Sequence, residues 1–255
     1  MNTTLATTDR SLTESEAYDF LNQIVEGSLS EETIKSILIN MAKRGETIEE
    51  ITGMARAMRE HVIPINVKGP LLDTCGTGGS GLPRINTSTL VSFILAADGI
   101  HIAKHGNKAA SGRCGSFDVL EELGVNIMLN AKQIEAAINQ TNLGFIYAKQ
   151  FHPVMKNIMP IRKAIGQRTI FNLLGPLLNP ARAQRHILGT NDLKTAEKMI
   201  QVLKNLGLER ALVMKGIDGL DEITLTSPTV LFELRNGKIT QSVIHPDQFG
   251  LEEVA

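Results

Sequence analysis

Apolar residues recur at helical spacing through the first sixty positions. "AYDFLNQIVEG", "EETIKSILINMAKRG" and "ITGMARAMREHV" each carry an apolar stripe and end signals. Thr13 and Glu16 form a capping-box pair before the first segment, which stops at Gly27. Ser30 can cap the second, which stops at Gly45, and Thr47 with Glu50 repeats the capping box before the third. Three short helices in a row predict a small helical unit. The periodicity breaks at "IPINVKGP".

Beyond the break the pattern alternates. "LLDTC", "IHIAKHGN", "FIYAKQF", "RHILGT" and "RALVMKG" read as strands. Between them "STLVSFILAADG", "SFDVLEELG", "AKQIEAAINQ", "PVMKNIMPIRKAIG" and "LKTAEKMIQVLKNLG" read as helices. Strand–helix alternation predicts an α/β fold with a mostly parallel central sheet. Asn236-Gly237, between "VLFELR" and "KITQSVI", signals a hairpin. The fold class is therefore α/β: a small all-helical N-terminal domain followed by a larger α/β domain.

Composition narrows the function classes. The 255 residues are 42% hydrophobic and 21% charged, an ordinary globular balance. A net charge of −1 argues against a chain built around nucleic acid or an anionic membrane. The polar start "MNTTLATTDRSLTESE" has no signal-peptide core, and no apolar run reaches membrane-spanning length. A soluble, cytoplasmic protein is expected. Cys75 and Cys114 are too few and too far apart for a disulfide framework or a zinc site.

The candidate chemistry lies where predicted strands end. "DTCGTGGSGLPRINTST" places Gly76, Gly78 and Gly79 between a strand and a helix, with Asn86, Ser88 and Thr89 at the helix start. Exposed backbone N–H groups at a helix N-terminus suit a phosphate. The loop alone is equally compatible with a tight turn capped by Ser88. "KHGNKAASGRCGSFD" repeats the arrangement with Lys104, His105, Asn107, Ser111, Gly112 and Ser116. Two such loops at strand carboxyl ends favour an anionic ligand with more than one phosphate. Asp218, Asp221 and Glu222 in "DGLDEI" form either a magnesium-binding carboxylate group or an acidic surface turn. In "HPVMKNIMPIRKAIGQRTIFNLLGPLLNPA", Arg162 can hold a planar carboxylate bidentately, or lie on a solvated helix face.

The order of these motifs resembles the anthranilate phosphoribosyltransferase family: "GTGG…N-x-S-T", then "KHGN…SG…GS-x-D-x-LE-x-LG", "HP-x-MK…R-x-x-x-G-x-RT-x-FNLLGPL-x-NPA" and "DGLDE". The resemblance implies a helical domain over 1–70, completed by part of 160–185, and an α/β domain over 71–255. It implies transfer of phosphoribose from phosphoribosyl pyrophosphate to the amine of anthranilate, a step of tryptophan biosynthesis. Carried over by motif, Gly76, Gly78, Gly79, Ser80, Arg84, Asn86, Ser88, Thr89, Lys104, Ser111, Gly112 and Ser116 would bind phosphoribosyl pyrophosphate. Gly76, His105, Asn107, His152, Arg162 and Pro176 would line the anthranilate position, and Ser88, Asp221 and Glu222 would bind magnesium. No side chain is assigned as catalytic acid, base or nucleophile. A homodimer through the helical domain is implied, with small-molecule substrates and neither nucleic acid nor membrane as partner.

Four departures from the family pattern stand out. Ser80 replaces the acid of "GTGGD", and Pro83-Arg84 replaces a small polar pair. Arg84 either offers its charge to the phosphates or faces solvent. Cys114 stands where serine is common. The family also continues with further helices past "DQFGL", so a truncated or naturally shortened form with exposed apolar faces is expected. Another phosphoribosyl acceptor, a nucleoside phosphorylase activity, and a non-catalytic nucleic-acid-binding relative are the competing readings. The balanced charge and intact "KHGN" and "DGLDE" weigh against the last.

Overall fold

The structure, a computed structural model, describes residues 10–78, 85–109 and 114–254. The chain runs through α1 (Glu14–Glu26), α2 (Glu31–Arg44), α3 (Ile48–Glu60), β1 (Leu72–Gly76), α4 (Thr87–Ala97) and β2 (Ile102–Gly106). It continues through α5 (Ser116–Glu122), α6 (Ala131–Thr141), β3 (Leu143–Tyr147), α7 (Ala148–Phe151), α8 (Met155–Ile165) and α9 (Phe171–Leu174). β4 (Arg185–Gly189), α10 (Leu193–Asn205), β5 (Arg210–Gly216), β6 (Thr229–Arg235) and β7 (Lys238–Ile244) complete the regular elements. No helix among the described residues is long and apolar enough to cross a membrane.

Two compact units emerge. One holds the described residues up to Ile63 together with His152–Leu178; the other holds Pro64–Phe151 and the described residues from Asn179 onward. In the helical unit the end signals act as their chemistry requires. Thr13 and Thr47 each accept the backbone N–H three residues on, and Glu16 and Glu50 reach back to close both capping boxes. Gly27 ends α1 in a left-handed conformation, φ 68°. Glu50 does more than cap: fully buried, it also pairs with Arg44 and accepts the Leu12 N–H at 2.8 Å. α1 and α3 approach so closely at Gly53 that a Cβ there would lie 2.1 Å from the Glu14 carbonyl oxygen.

The α/β unit is a seven-stranded sheet in the order β3-β2-β1-β4-β5-β6-β7. The first five strands in that order run parallel, and β6 and β7 add an antiparallel hairpin. Asn236 and Gly237 turn that hairpin with φ 51° and 71°, the positive values a two-residue turn of this kind needs. The segment "FIYAKQF" departs from its all-strand expectation. Tyr147 pairs with Gly106, the last residue of β2, and the ladder has no partner beyond it. Ala148–Phe151 therefore turns into helix α7. Ile134, Ile138, Ile146 and Phe151 pack against Leu71 and Ala103 on one side of the sheet.

Candidate functional site

The strand order reverses at β1: the chain goes one way to β2 and β3, and the other way to β4 and β5. In open parallel sheets, ligands bind outside the carboxyl ends of the strands at such a switch point. Here those ends are Gly76 on β1 and Gly189 on β4, paired in register. The Thr77 N–H donates to the Gly189 carbonyl at 2.9 Å, tying the start of the glycine loop to the neighbouring strand.

The "DGLDE" segment crosses directly over this pair. A Cβ at Gly189 would lie 1.7 Å from the Asp221 carbonyl oxygen, and one at Gly76 would lie 2.8 Å from Asp221 Oδ2. Both strands thus end in glycine because the Asp221 backbone and carboxylate occupy the space a side chain would need. The three acids of the motif divide their work. Asp218 folds the turn: its Oδ1 accepts the Leu220 N–H at 2.9 Å, its Oδ2 accepts the Thr226 hydroxyl, and its backbone N–H donates to Ser227 Oγ. Asp221 is buried over the strand ends, and Glu222 lies close enough to Lys104 to favour its charged form.

Lys104 is the buried cation of the site, only 2% exposed. Its Nζ donates to the Thr74 carbonyl at 2.5 Å, to Ser88 Oγ at 3.1 Å and to Thr74 Oγ1 at 3.4 Å. Three acceptors match the three protons of an ammonium group. Burial lowers its pKa, while Asp73, Cys75 and Glu222 oppose that shift. Beneath Ser88, Thr74 Oγ1 and Ser92 Oγ lie 2.7 Å apart and both hydroxyls donate to the Ser88 carbonyl. The first turn of α4 is therefore bound to β1 and β2 through polar contacts.

That turn is arranged for an anion. Among the described residues no side chain caps the turn and it carries no acid, while its Thr87 and Thr89 N–H groups donate to the Ile85 and Asn86 carbonyls at 3.0 Å. Thr89 Oγ1 and Thr77 Oγ1 are buried without a hydrogen-bond partner among the described residues. Gly78 has φ 67°, within the left-handed range. Gly79, Ser80, Pro83, Arg84, Ser111 and Gly112 lie outside the described residues.

The second loop is held by a carboxylate that the sequence reading left without a role. Asp118 Oδ2 accepts the Ala109 and Gly115 N–H groups at 2.9 and 2.7 Å, which lowers its pKa. Asn107 is exposed, and its carbonyl accepts the Ser116 hydroxyl at 3.5 Å. His105 is buried, with its backbone N–H donating to Asp73 Oδ1 at 3.1 Å. Asp73 Oδ2 accepts Asn179 Nδ2 at 2.8 Å, and the same amide nitrogen donates to the Ala103 carbonyl at 2.7 Å. Asn179 thereby joins β1 to β2 beneath both loops. Its replacement by alanine strips a buried carboxylate and a buried carbonyl of a donor, at about 2–4 kcal/mol. At about 2–4 °C per kcal/mol for a chain of this size, Asn179→Ala should melt roughly 5–15 °C lower by calorimetry. A shift under about 2 °C would show that the tie is dispensable.

The remaining candidates belong to the helical unit. His152 is buried, and desolvation lowers its pKa to about 4, leaving it neutral at pH 7. Pro176 is buried in a 3-10 turn, Gly175–Leu177. Arg162 stacks over the Phe171 ring at 5.7 Å and has no carboxylate partner among the described residues. It borders an open hollow of about 940 Å³ that Lys156, Lys163, Arg168 and Asn172 also line. Four cations and no acid make this hollow suited to an anion.

The comparisons with known proteins join these observations. Residues 68–255 match the family described as "Glycosyl transferase family, a/b domain", and residues 4–62 match its "helical bundle domain". The anthranilate phosphoribosyltransferase of Alkaliphilus metalliredigens is 47% identical over 241 residues, covering 94% of this chain and 71% of the relative. The chain belongs to the anthranilate phosphoribosyltransferase family. The crystal structure of the Thermus thermophilus anthranilate phosphoribosyltransferase superposes with a TM-score of 0.90 at 40% identity, covering 97% of this chain and 74% of that one. The Saccharomyces cerevisiae enzyme, solved in complex with PRPP and Mg, gives 0.83 at 28% identity, covering 96% and 71%. Against this family's pattern, the sequence motifs flagged the site loops directly. They include Asp73, Thr77, Asp118 and Asn179 without assigning them a role, because those roles depend on strand register and loop closure.

Proposed function

We infer that this chain transfers phosphoribose from phosphoribosyl pyrophosphate to the amine of anthranilate, releasing pyrophosphate. One observation carries the reading: Asp221, backed by paired strand-terminal glycines, sits at the same switch point as the Lys104–Ser88 contact and the α4 N-terminus. The family and its yeast complex with PRPP and Mg support it.

In this reading the α4 N-terminus, with Asn86, Ser88 and Thr89, and the backbone at Gly76 and Gly78 hold the phosphates. Gly79, Ser80, Arg84, Ser111, Gly112 and Ser116 are proposed to complete that binding. Lys104 supplies a fixed positive charge from below. The donors at the metal position, the Asp221 and Glu222 carboxylates and the Ser88 hydroxyl, are all hard oxygen ligands. The Asp221 carboxylate occupies space left open because Gly76 carries no side chain. That set fits magnesium, which would neutralise charge developing on the departing pyrophosphate.

The amine nitrogen forms a bond to the ribose C1 as the bond from C1 to the pyrophosphate oxygen breaks, and the amine then loses a proton. An aromatic amine is neutral at pH 7, so its lone pair needs no prior deprotonation. The side chains therefore position the reactants, exclude water and stabilise charge. Arg162 is proposed to hold the anthranilate carboxylate, with His105, Asn107, His152 and Pro176 beside the aromatic ring. The reading includes a homodimer through the helical unit.

Purified protein with magnesium, phosphoribosyl pyrophosphate and anthranilate should consume anthranilate fluorescence. A folded protein that leaves the signal unchanged would overturn the assignment. Arg162→Ala should raise the anthranilate KM by about 10- to 100-fold, roughly 1.4–2.7 kcal/mol, with kcat little changed. A bidentate contact to the carboxylate is present before and during reaction, so its loss removes uniform binding. Saturation at the parent's anthranilate concentration would place the carboxylate elsewhere.

A further inference from the structure

The sheet carries a second cluster of ligating groups, on the face of β1 opposite Thr74. Asp73 and Cys75, two residues apart on one strand, share this face, and His186 on β4 pairs in register with Asp73. One ligating atom from each of the three lies within 4.8 Å of the others. Cys75 Sγ and His186 Nε2 are 3.1 Å apart. We propose that Asp73, Cys75 and His186 form a binding site for a borderline-soft divalent cation of the zinc class, separate from the magnesium position.

Ligand chemistry selects the ion. A thiolate and an imidazole beside one carboxylate favour zinc over magnesium, which prefers oxygen. A tetrahedral centre with bonds of about 2.0–2.3 Å spaces its ligand atoms by roughly 3.3–3.8 Å. The observed separations, 3.1 Å between Cys75 Sγ and His186 Nε2 and at most 4.8 Å among all three, lie within about an ångström of that spacing. The carboxylate is already oriented: the His105 N–H and the Asn179 amide donate to its two oxygens, in the way outer hydrogen bonds commonly fix metal ligands. Each oxygen keeps a lone pair for the ion.

Charge and protons balance. Without the ion, the buried thiol stays protonated, its pKa raised first by desolvation and then by the Asp73 charge. On binding, the Cys75 S–H proton leaves to solvent, and sulfur and His186 Nε2 each donate a lone pair to the cation. Two negative ligands then match a charge of +2. Cys75 as a residue is partly exposed although its thiol is desolvated, whereas Asp73 and His186 are buried, so an ion would enter past Cys75. No spacing in the sequence announces the site, because His186 lies 111 positions from Cys75.

Cobalt(II) tests this without reliance on activity. Titrated into the reduced full chain, freed of other metals, it should give one equivalent with a thiolate-to-cobalt charge-transfer band that zinc abolishes. Cys75→Ser and His186→Gln should lose the band. Cys114→Ser, and Asp221→Asn combined with Glu222→Gln, should keep it. A parent protein with no thiolate band, a band surviving in Cys75→Ser, or one lost in Cys114→Ser would overturn the proposal. Should Cys75→Ser fail to fold by circular dichroism, alkylation of the parent decides. Zinc should slow iodoacetamide modification of Cys75 at least 10-fold without protecting Cys114, and equal rates with and without zinc would refute the site.

Discussion

Asp221→Asn combined with Glu222→Gln should lower kcat by about 10²–10³-fold while leaving the melting temperature within a few degrees of the parent. Removing one preorganised group that stabilises transition-state charge commonly costs that much. Both substitutions keep side-chain shape and change charge. The turn that places them depends instead on Asp218, whose carboxylate holds the Leu220 N–H and the Thr226 hydroxyl. The loop should therefore keep its course while losing the negative charge proposed to hold magnesium. Steady-state rates across a magnesium titration read the result. A double variant with the parent's magnesium dependence would move the metal away from these carboxylates.

Gly189→Ala should cost about as much activity by a different route. The position is extended strand, where alanine meets no backbone penalty. Its methyl group would nevertheless sit 1.7 Å from the Asp221 carbonyl oxygen and 2.8 Å from the carbonyl carbon. Backbone cannot rotate out of the way as a side chain can, so the "DGLDE" segment must shift by an ångström or more. Misplacement on that scale can cost about 10²-fold in rate. Gly189 also accepts the Thr77 N–H, so the glycine loop would be disturbed too. Gly76→Ala is the internal comparison. Its methyl comes closer than ordinary contact only to Asp221 Oδ2, at 2.8 Å, with the Gly189 carbonyl oxygen at an unstrained 3.6 Å, and the Asp221 side chain can turn. Turnover should fall further in Gly189→Ala than in Gly76→Ala, with the sheet intact by far-UV circular dichroism. The reverse order would show that the Asp221 backbone does not fix the site.

Local signals foretold what local physics controls. The capping boxes at Thr13 and Thr47, the stop at Gly27 and the Asn236-Gly237 turn each depend on a few adjacent residues, and each forms as its sequence implies. Register was not legible. Nothing near Asp73 announces that it will meet His105 and Asn179, because the strands must pair before the three converge. The same holds for Glu50, whose capping role was evident but whose contact with Leu12, 38 positions away, was not. α7 escaped notice because "AKQF" leaves the strand only where β2 stops offering a partner. Within the site, composition placed three acids in one motif, and only the folded turn separates Asp218 from Asp221 and Glu222.

The burial of Lys104 has a consequence for ionic strength. A cation at the surface attracts a polyanion through water, and mobile ions weaken that attraction within a Debye length of about 8 Å at physiological salt. Lys104 is shielded from those ions by the strand carbonyl and the helix turn it binds. Its attraction for the phosphate proposed to bind at the α4 N-terminus should therefore change little as salt rises. The exposed cations lining the Arg162 hollow, Arg168 among them, have no such shelter. Of the two substrates, the small aromatic acid should feel added salt more than the phosphorylated sugar does.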